Sequence, residues 1–337
     1  MAERYEVLGT TRAVSGGALP AFEAYCLGEP ASVDAEAIAA GPHVAPLFVD
    51  DVGGRVVFAE VPTTVDLRDE AFAFFGQHRH AKRLIAVSYD ELRVVTASYR
   101  TPQGLVFVFN TSRCGSTLLH RAFNRVPGVS SLGELGFVND LRRMANDPAR
   151  RDLVVRLIRD AFTIAAAAYG GMVAFKHLAF CTAIADLHHA AFPDAELLFL
   201  YRNAIDWAAS WQRILGRDGE HDINMGMWLD AMDDYTRCTG AGTPMTAMRY
   251  EDLATHPKAT LTALLDRLGW PIDAVDAALS VFNHDAQAGT DLARVDGRPN
   301  PYRLNDDQRR EVEHQLREHA PSWPIDPTLP GTLAVSP

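Results

Sequence analysis

The sequence predicts an α/β fold in which helices cover both faces of a parallel sheet. Three apolar runs, Leu105–Phe109, Met172–Phe175 and Glu196–Tyr201, have the length and composition of buried strands. Each run is followed by a polar turn and a segment of helical character, and strands that alternate with helices pair in parallel. Ligands bind at the carboxyl ends of such strands, so the residues after these runs are candidates for a functional site.

Residues 1–100 are predicted to form a small α+β accessory region, and residues 101–337 the main domain. Pro46–Val61 predicts a β-hairpin with two glycines at its turn. Asp66–His78 predicts an amphipathic helix, and Arg83–Ser88 a further strand. This region carries no recognisable set of catalytic residues.

In the main domain the remaining elements follow from apolar periodicity and from helix-capping signals. The predicted elements are a helix Ser116–Arg125, a connecting segment Val129–Leu132, a helix over Asp140–Arg159 interrupted near Pro148, a helix Ala161–Tyr169, a helix Cys181–Phe192, a helix capped by Asn203 or Asp206, a helix Asn224–Arg237, a strand Pro244–Met248, helices Ala259–Leu268 and Ile272–Phe282, and a last helix from Asn305 with Gln308 in a capping box.

Composition limits the class of protein. With 337 residues, 47% hydrophobic and 22% charged, the chain can bury a core, and no apolar run reaches the ~20 residues of a membrane helix. The net charge of −11 argues against nucleic acid as a partner. Four scattered cysteines predict reduced thiols without a disulfide framework or a zinc site. The first residues lack a signal-peptide pattern, which leads us to expect a cytoplasmic protein.

The most informative stretch is Leu105–Leu119, which reads LVFVFNTSRCGSTLL. A strand, a tight turn and a helix in this order direct several backbone N–H groups and the helix dipole toward one point. The hydroxyls of Ser116 and Thr117 add donors, Arg113 adds a positive charge, and Gly115 allows close approach of the backbone. The stretch therefore predicts a phosphate-binding loop.

The spacing differs from that of a nucleotide kinase. A Walker loop has the pattern G-x-x-x-x-G-K-[ST], whereas here Asn110 occupies the position of the first Gly and no Lys precedes Ser116. The cation lies earlier, at Arg113. This order resembles the 5′-phosphosulfate loop of sulfotransferases that use 3′-phosphoadenosine 5′-phosphosulfate (PAPS).

Four stretches resemble this family in the same order and cover roughly residues 103–310 of the chain. They are NTSRCGSTLL, MVAFKH, FPDAELLFLYRNAIDWAAS and RYEDLATHP. The resemblance implies that the loop binds the 5′ end of the donor through Ser112, Arg113, Cys114, Gly115, Ser116 and Thr117.

The same resemblance implies contacts at the other end of the donor. Arg202 and Ser210 would bind the 3′-phosphate, and two helical turns bring that serine onto the face that the arginine can share. Tyr250 would contact the adenine, while Glu251 and Asp252 order the turn. A late arginine would also bind the 3′-phosphate, and we select Arg298, with Arg294 and Arg303 as alternatives.

The catalytic residues implied by the resemblance are Arg113, Lys176, Glu134 and His177. In-line sulfuryl transfer needs positive charge at the departing phosphate oxygen, which Arg113 and Lys176 can supply. Glu134 is favoured as the general base over His177. Lys176-His177-Leu178 resembles the K-x-H-L segment of cytosolic sulfotransferases but is one residue shorter, and on a strand this difference turns the side chain to the opposite face. The sequence has no clustered metal ligands, and we expect no metal cofactor.

The predicted function is metal-independent transfer of a sulfuryl group from PAPS to a hydroxyl of a small molecule, such as a secondary metabolite or a glycoside, with adenosine 3′,5′-bisphosphate as product. Two alternatives remain open: a P-loop kinase or nucleotide phosphotransferase, and a non-catalytic binding module with this fold. Trp207, Trp211 and Trp228 fit either the core or an apolar acceptor pocket. We expect neither a nucleic-acid partner nor a membrane partner, and the sequence leaves the oligomeric state open.

Overall fold

The computed structural model describes residues 1–11, 20–100, 102–215, 222–286, 303–319 and 323–335. The chain divides into two compact units. The first unit comprises Met1–Phe107, Gly128–His177 and Asp186–Ala195, and the second comprises Val108–Pro127, Leu178–Ala185 and Glu196–Pro337. The predicted domain boundary after residue 100 stays a prediction.

The strands of the described residues fall into two sheets. In chain order they are β1 (Ala2–Thr10), β2 (Tyr25–Leu27), β3 (Ala31–Val33), β4 (Val44–Asp50), β5 (Arg55–Glu60), β6 (Arg83–Ser88), β7 (Leu105–Asn110), β8 (Val129–Gly133), β9 (Met172–Lys176), β10 (Glu196–Tyr201) and β11 (Thr246–Arg249).

The helices are most frequent after residue 115. In chain order they are α1 (Ala73–His80), α2 (Tyr89–Thr96), α3 (Ser116–Phe123), α4 (Phe137–Met144), α5 (Arg151–Ala167), α6 (Ala185–Ala191), α7 (Ala204–Leu215), α8 (Gly226–Gly240), α9 (Tyr250–Thr255), α10 (Pro257–Arg267), α11 (Val275–Leu279) and α12 (Asp306–His319). Among the described residues, none of these helices has the length and apolar character required to cross a bilayer.

A six-stranded antiparallel sheet lies in the first unit, in the order β2-β1-β6-β5-β4 with β3 paired to β1. Strands β4 and β5 form the predicted hairpin, and β6 coincides with the predicted strand. Leu47, Val57 and Leu84 on these strands are completely buried and belong to one apolar cluster. Burial of this cluster is what holds the sheet together, because apolar area removed from water is the main favourable contribution to folding.

The predicted helix Asp66–His78 is wrong in its first half, since α1 begins only at Ala73. The Asp66 carboxylate accepts hydrogen bonds from the backbone N–H of Arg68 and from its guanidinium, at 3.0 and 2.7 Å. A short acidic side chain that binds nearby backbone in this way competes with helix formation. The segment before Ala73 therefore forms turns.

The second sheet has the order β11-β10-β7-β9-β8. Strands β8 and β9 pair in parallel, as do β10 and β11. The predicted α/β fold with a parallel sheet and flanking helices is confirmed. Strands β7, β9 and β10 end at Asn110, Lys176 and Tyr201, which places the predicted site residues directly at or after carboxyl ends of strands.

Three further elements of the structure can be compared with the sequence predictions. The helix over Asp140–Arg159 is interrupted by a 3-10 turn at Pro148–Arg150, as predicted. The prediction of a separate helix over Ala161–Tyr169 is wrong, because the single helix α5 runs from Arg151 to Ala167 through good helix formers. Val129–Gly133 is a strand, although its two central serines gave no apolar pattern.

Two predicted helices are divided by 3-10 turns, and the elements β1, β2, β3, α2 and α9 were not predicted. Cys181–Phe192 consists of a 3-10 turn, Ala179–Ile184, followed by α6. Ile272–Phe282 consists of α11 with 3-10 turns on both sides. Strand β1 and helix α2 were missed, since their residues mix polar and apolar types. The capping box of α12 is confirmed by reciprocal hydrogen bonds of 3.0 and 2.9 Å between Asn305 and Gln308.

Candidate functional site

The loop between β7 and α3 has the strand–turn–helix geometry that the sequence predicts. Ser112 and Arg113 adopt positive φ angles of 62° and 49°, and Gly115 follows with 83°. The Asn110 carboxamide stabilises the turn, because its Oδ1 accepts a hydrogen bond of 2.8 Å from the Ser112 N–H. Consecutive residues in such conformations form a concave array of N–H groups, which suits an anion. Helix α3 begins at Ser116, where its positive dipole end adds to this effect.

The remaining loop side chains are largely enclosed. Ser116 and Thr117 are 7% and 6% exposed, and Cys114 is completely buried. At Gly115 an added Cβ would lie 2.7 Å from Cδ2 of Tyr250, so only glycine permits this contact. Tyr250, the first residue of α9, thus packs directly against the loop.

Arg202 connects the loop to Tyr250 within the second unit. Its guanidinium lies 4.4 Å from the centroid of the Tyr250 ring, a cation–π contact. Its Nη1 donates a hydrogen bond of 3.3 Å to the Arg113 carbonyl. The residue predicted to bind the 3′-phosphate is therefore adjacent to the loop predicted to bind the 5′ end.

Arg113 and Ser210 are also brought together, since Nε of the arginine donates a 3.1 Å hydrogen bond to the serine Oγ. The pKa of Arg113 falls to about 10, first because the guanidinium is buried and then because Arg213 and Arg202 repel its charge. Because Arg213 and Arg202 both add positive charge around Arg113, this part of the second unit attracts an anion. Arg213 was missed by sequence reasoning, although it lies on α7 with Ser210, three residues further on.

Two tryptophans fix the backbone around these cations. Trp207 Nε1 donates to the Thr111 carbonyl at 2.7 Å, and Trp228 Nε1 donates to the Arg202 carbonyl at 2.9 Å. Both side chains are buried, at 2% and 0% exposure. Because each indole N–H is satisfied by a backbone group of the site, these residues support the site from the core.

The start of α7 is held by Asn203, one of the two predicted caps. Its Oδ1 accepts a 2.8 Å hydrogen bond from the Asp206 N–H. Glu251 accepts hydrogen bonds from the backbone N–H of Asn203 at 3.0 Å and from its Nδ2 at 2.6 Å. These bonds order the turn that follows Arg202.

The first unit contains a buried ion pair between Glu134 and Lys176. The Lys176 ammonium lies 2.5 Å from Glu134 Oε1. The Lys176 side chain is 1% exposed and the Glu134 side chain 9%. Burial raises the pKa of Glu134, and the Lys176 ammonium acts in the opposite direction. The strand register explains the pairing, since Gly133 at the end of β8 lies opposite Lys176 at the end of β9.

Glu134 has a left-handed backbone, with φ of 51°. Its N–H donates a 2.6 Å hydrogen bond to the Lys176 carbonyl, so both the backbone and the side chain of these two residues are joined. A non-glycine residue in this conformation is strained, and such strain concentrates at functional positions.

His177 lies in an aromatic core. It is 1% exposed, its ring stacks on Phe107 with centroids 5.6 Å apart, and it contacts Phe162 and His188. Burial lowers the pKa of His177 well below its ordinary value, and the nearby His188 and Lys176 add to this effect. The imidazole is therefore neutral near pH 7.

The predicted late arginines are the least defined part of the site. Arg298 and the alternative Arg294 lie outside the described residues. Arg303 is described and exposed, just before α12. Within the described ranges, no group of three or more His, Cys, Asp or Glu residues is arranged to hold a metal ion.

Comparisons with known proteins agree with the resemblance found in the motifs. Residues 172–274 match the sequence model of the sulfotransferase family, which is less than half of the chain. No curated protein sequence matches the chain. The predicted resemblance to the sulfotransferase family is confirmed over these residues.

Solved structures with a similar fold include several sulfotransferases. The sulfotransferase domain from the curacin biosynthetic pathway is 16% identical, with 64% of this chain and 98% of that chain covered and a TM-score of 0.43. Sulfotransferase STF9 from Mycobacterium avium is 12% identical, with 68% and 80% covered and a TM-score of 0.42. Mouse sulfotransferase SULT7A1, in complex with PAP, is 12% identical, with 69% and 90% covered and a TM-score of 0.40.

Proposed function

We propose that the protein transfers a sulfuryl group from PAPS to a hydroxyl of a small-molecule acceptor. The observation that carries this proposal is the concentration of positive charge at the loop, where Arg202 donates a hydrogen bond to the Arg113 carbonyl and both Arg213 and Arg202 lower the pKa of Arg113. PAPS has a phosphosulfate at one end and a 3′-phosphate at the other, so its charge suits several cations within one unit. The family match at residues 172–274 gives independent support.

The donor contacts follow from this arrangement. We assign the loop from Ser112 to Thr117 to the phosphosulfate, with Arg113 providing the charge and Gly115 the close approach. Arg202 and Ser210 are assigned to the 3′-phosphate. Tyr250 is assigned to the adenine. Arg298 keeps its predicted role at the 3′-phosphate as part of the proposal.

In the proposed reaction Glu134 accepts the proton of the acceptor hydroxyl. The acceptor oxygen forms a bond to sulfur while the bond from sulfur to the bridging phosphate oxygen breaks, and adenosine 3′,5′-bisphosphate (PAP) leaves. Arg113 and Lys176 are assigned to the charge that develops on the departing oxygen. The aromatic packing of His177 favours Glu134 as the base, because a base must reach the hydroxyl it deprotonates.

The donor assignment is tested by calorimetric titration with PAP and with AMP, which lacks the 3′-phosphate. We expect wild-type protein to bind PAP clearly more tightly. In Arg202→Ala the loss of a charged hydrogen bond of about 1.5–3 kcal/mol weakens PAP binding by roughly 10- to 150-fold and leaves AMP nearly unchanged. Arg310→Ala is the matched control, since Arg310 is exposed on α12 of the same unit.

Equal weakening of PAP and AMP in Arg202→Ala would contradict the assignment of Arg202, and equal affinity of wild type for the two ligands would contradict the proposed donor. Turnover is measured as PAP release from PAPS with a panel of phenols and alcohols. Magnesium-dependent ATP turnover in the same assay would support the kinase alternative.

We also propose a cytoplasmic location and an acceptor that is neither nucleic acid nor a membrane component. Four free cysteines, three of them buried, suit a reducing compartment. The net charge of −11 disfavours a polyanionic acceptor. A secondary metabolite or a glycoside remains the acceptor class that we favour.

A further inference from the structure

The segment Ala71–Phe74, which precedes and begins α1, surrounds the buried pair in the first unit. Lys176 Nζ lies 3.4 Å from the Ala71 carbonyl and 4.9 Å from the centroid of the Phe72 ring. The Phe74 N–H donates a 3.3 Å hydrogen bond to the Glu134 carbonyl. One short segment of the predicted accessory region thus contacts both members of the pair.

The fit between this segment and the strand end is close. At Gly133, which precedes Glu134, an added Cβ would lie 2.6 Å from the Ala71 carbonyl oxygen. Any larger residue would displace the segment from the pair. Phe72 is itself 9% exposed and packs against Phe75, with ring centroids 5.7 Å apart, so its position over the ammonium is fixed by its neighbours.

An ammonium has three N–H donors and needs a defined partner in each direction when it is buried. Lys176 Nζ contacts the Glu134 carboxylate, the Ala71 carbonyl and the face of the Phe72 ring. Loss of the ring would remove one of the contacts that orient the ammonium, because an aliphatic side chain has no negative face to attract it.

We propose that Phe72 is a positioning residue, which holds the Lys176 ammonium in the orientation that the reaction requires. The accessory region therefore contributes to turnover through this contact. The inference rests on the proposed function for its kinetic consequence, but the contact itself can be tested without turnover.

The test compares Phe72→Leu with Phe72→Tyr and Phe75→Leu in the full chain. Leu removes the ring and keeps an apolar side chain, and Tyr restores an aromatic face. Phe75→Leu is the matched control, because it removes a neighbouring ring of the same cluster. We expect kcat to fall about tenfold in Phe72→Leu, which corresponds to about 1.4 kcal/mol, and to stay within about twofold in the other two variants. The affinity for PAP, measured by titration, should not change in any variant.

A second readout does not depend on activity. The chain has three lysines, Lys82, Lys176 and Lys258. Lysine labelled with ¹³C at Cε therefore gives three side-chain NMR signals, which Lys82→Arg and Lys258→Arg assign by elimination. We expect the Lys176 signal to shift in Phe72→Leu and to stay close to its wild-type position in Phe75→Leu, since an aromatic ring current acts on the nearby Cε.

Phe72→Met serves the same purpose if the Leu variant does not fold. An unchanged kcat with an unchanged Lys176 signal in the Leu or Met variant would overturn the inference, as would an equal loss of kcat in Phe75→Leu. If no variant, including wild type, transfers a sulfuryl group, the NMR comparison still decides whether the Phe72 ring contacts Lys176. In that case it is the proposed function that fails.

Discussion

Replacement of Lys176 by Met should destabilise the protein in a pH-dependent way. The substitution keeps an unbranched side chain of similar length and removes the charge next to a carboxylate that is 9% exposed. An uncompensated charge in such a place is costly, and breaking a buried pair by removing one partner typically costs about 3–5 kcal/mol. Glu134 can avoid this cost by binding a proton.

The free-energy cost of keeping that proton on Glu134 in the folded state sets the expected loss of stability. Burial raises the pKa of Glu134, and in Lys176→Met the ammonium that lowers it is gone. The folded state then holds a proton that the unfolded state, with a glutamate pKa of about 4.3, releases at pH 7. The loss of stability is up to about 3.7 kcal/mol at pH 7 and about 1 kcal/mol at pH 5. Since the folded-state pKa is the higher one, stability is retained at low pH and lost as the pH rises.

Urea unfolding followed by far-ultraviolet circular dichroism at pH 7 and pH 5 measures both values. Circular dichroism is preferable to tryptophan fluorescence, because all five tryptophans lie in the second unit. Lys82→Met is the control for loss of an exposed lysine and should change the free energy of unfolding by less than about 0.5 kcal/mol. Glu134→Gln combined with Lys176→Met should recover most of the loss at pH 7 and show little dependence on pH.

A loss of less than about 1 kcal/mol at pH 7 in Lys176→Met, or an equal loss at both pH values, would contradict a cost that comes from the buried charge. The first result would mean that the carboxylate finds another partner or water. The second would mean that the destabilisation comes from packing and not from charge.

Two further predictions concern the loop in the second unit. Gly115→Ala places a Cβ 2.7 Å from the Tyr250 ring at a residue with a φ of 83°. The affinity for PAP, measured by calorimetry, should therefore fall at least about tenfold. Unchanged affinity would show that PAP binding does not require this loop geometry. Trp207→Phe removes the hydrogen bond to the Thr111 carbonyl and leaves that buried acceptor unsatisfied, so urea unfolding should show a loss of about 1–3 kcal/mol. A loss below about 0.5 kcal/mol would contradict the supporting role.

The sequence predicts the loop well because its signal is local. A buried strand, a polar turn with a glycine and a helix start follow one another within Leu105–Leu119, and each is defined by its own residues. The left-handed conformations of Ser112 and Arg113 could not be predicted, since neither residue type favours them. They arise from the surrounding structure, including the hydrogen bond that the Ser112 N–H donates to Asn110 Oδ1.

The Glu134–Lys176 pair could be predicted only in part. The two residues lie at neighbouring strand ends, but the run Val129–Leu132 gave no clear strand pattern, so their common register was hidden. The contact with Phe72 depends on a distant segment, and a single sequence carries no signal for contacts of this kind. The predicted helix over Asp66–His78 would even have placed Phe72 inside a helix, whereas it precedes α1.

Lys176 in the first unit and Arg113 in the second differ in the charged groups that act on them. Lys176 has a carboxylate at 2.5 Å and needs no further anion for its stability. Arg113 instead donates to the neutral Ser210 hydroxyl, and the charges of Arg213 and Arg202 lower its pKa. An anionic ligand would reverse that repulsion, and relief of unfavourable charge on binding adds to affinity. This gain supports the proposed assignment of the donor's phosphosulfate to the loop that carries Arg113.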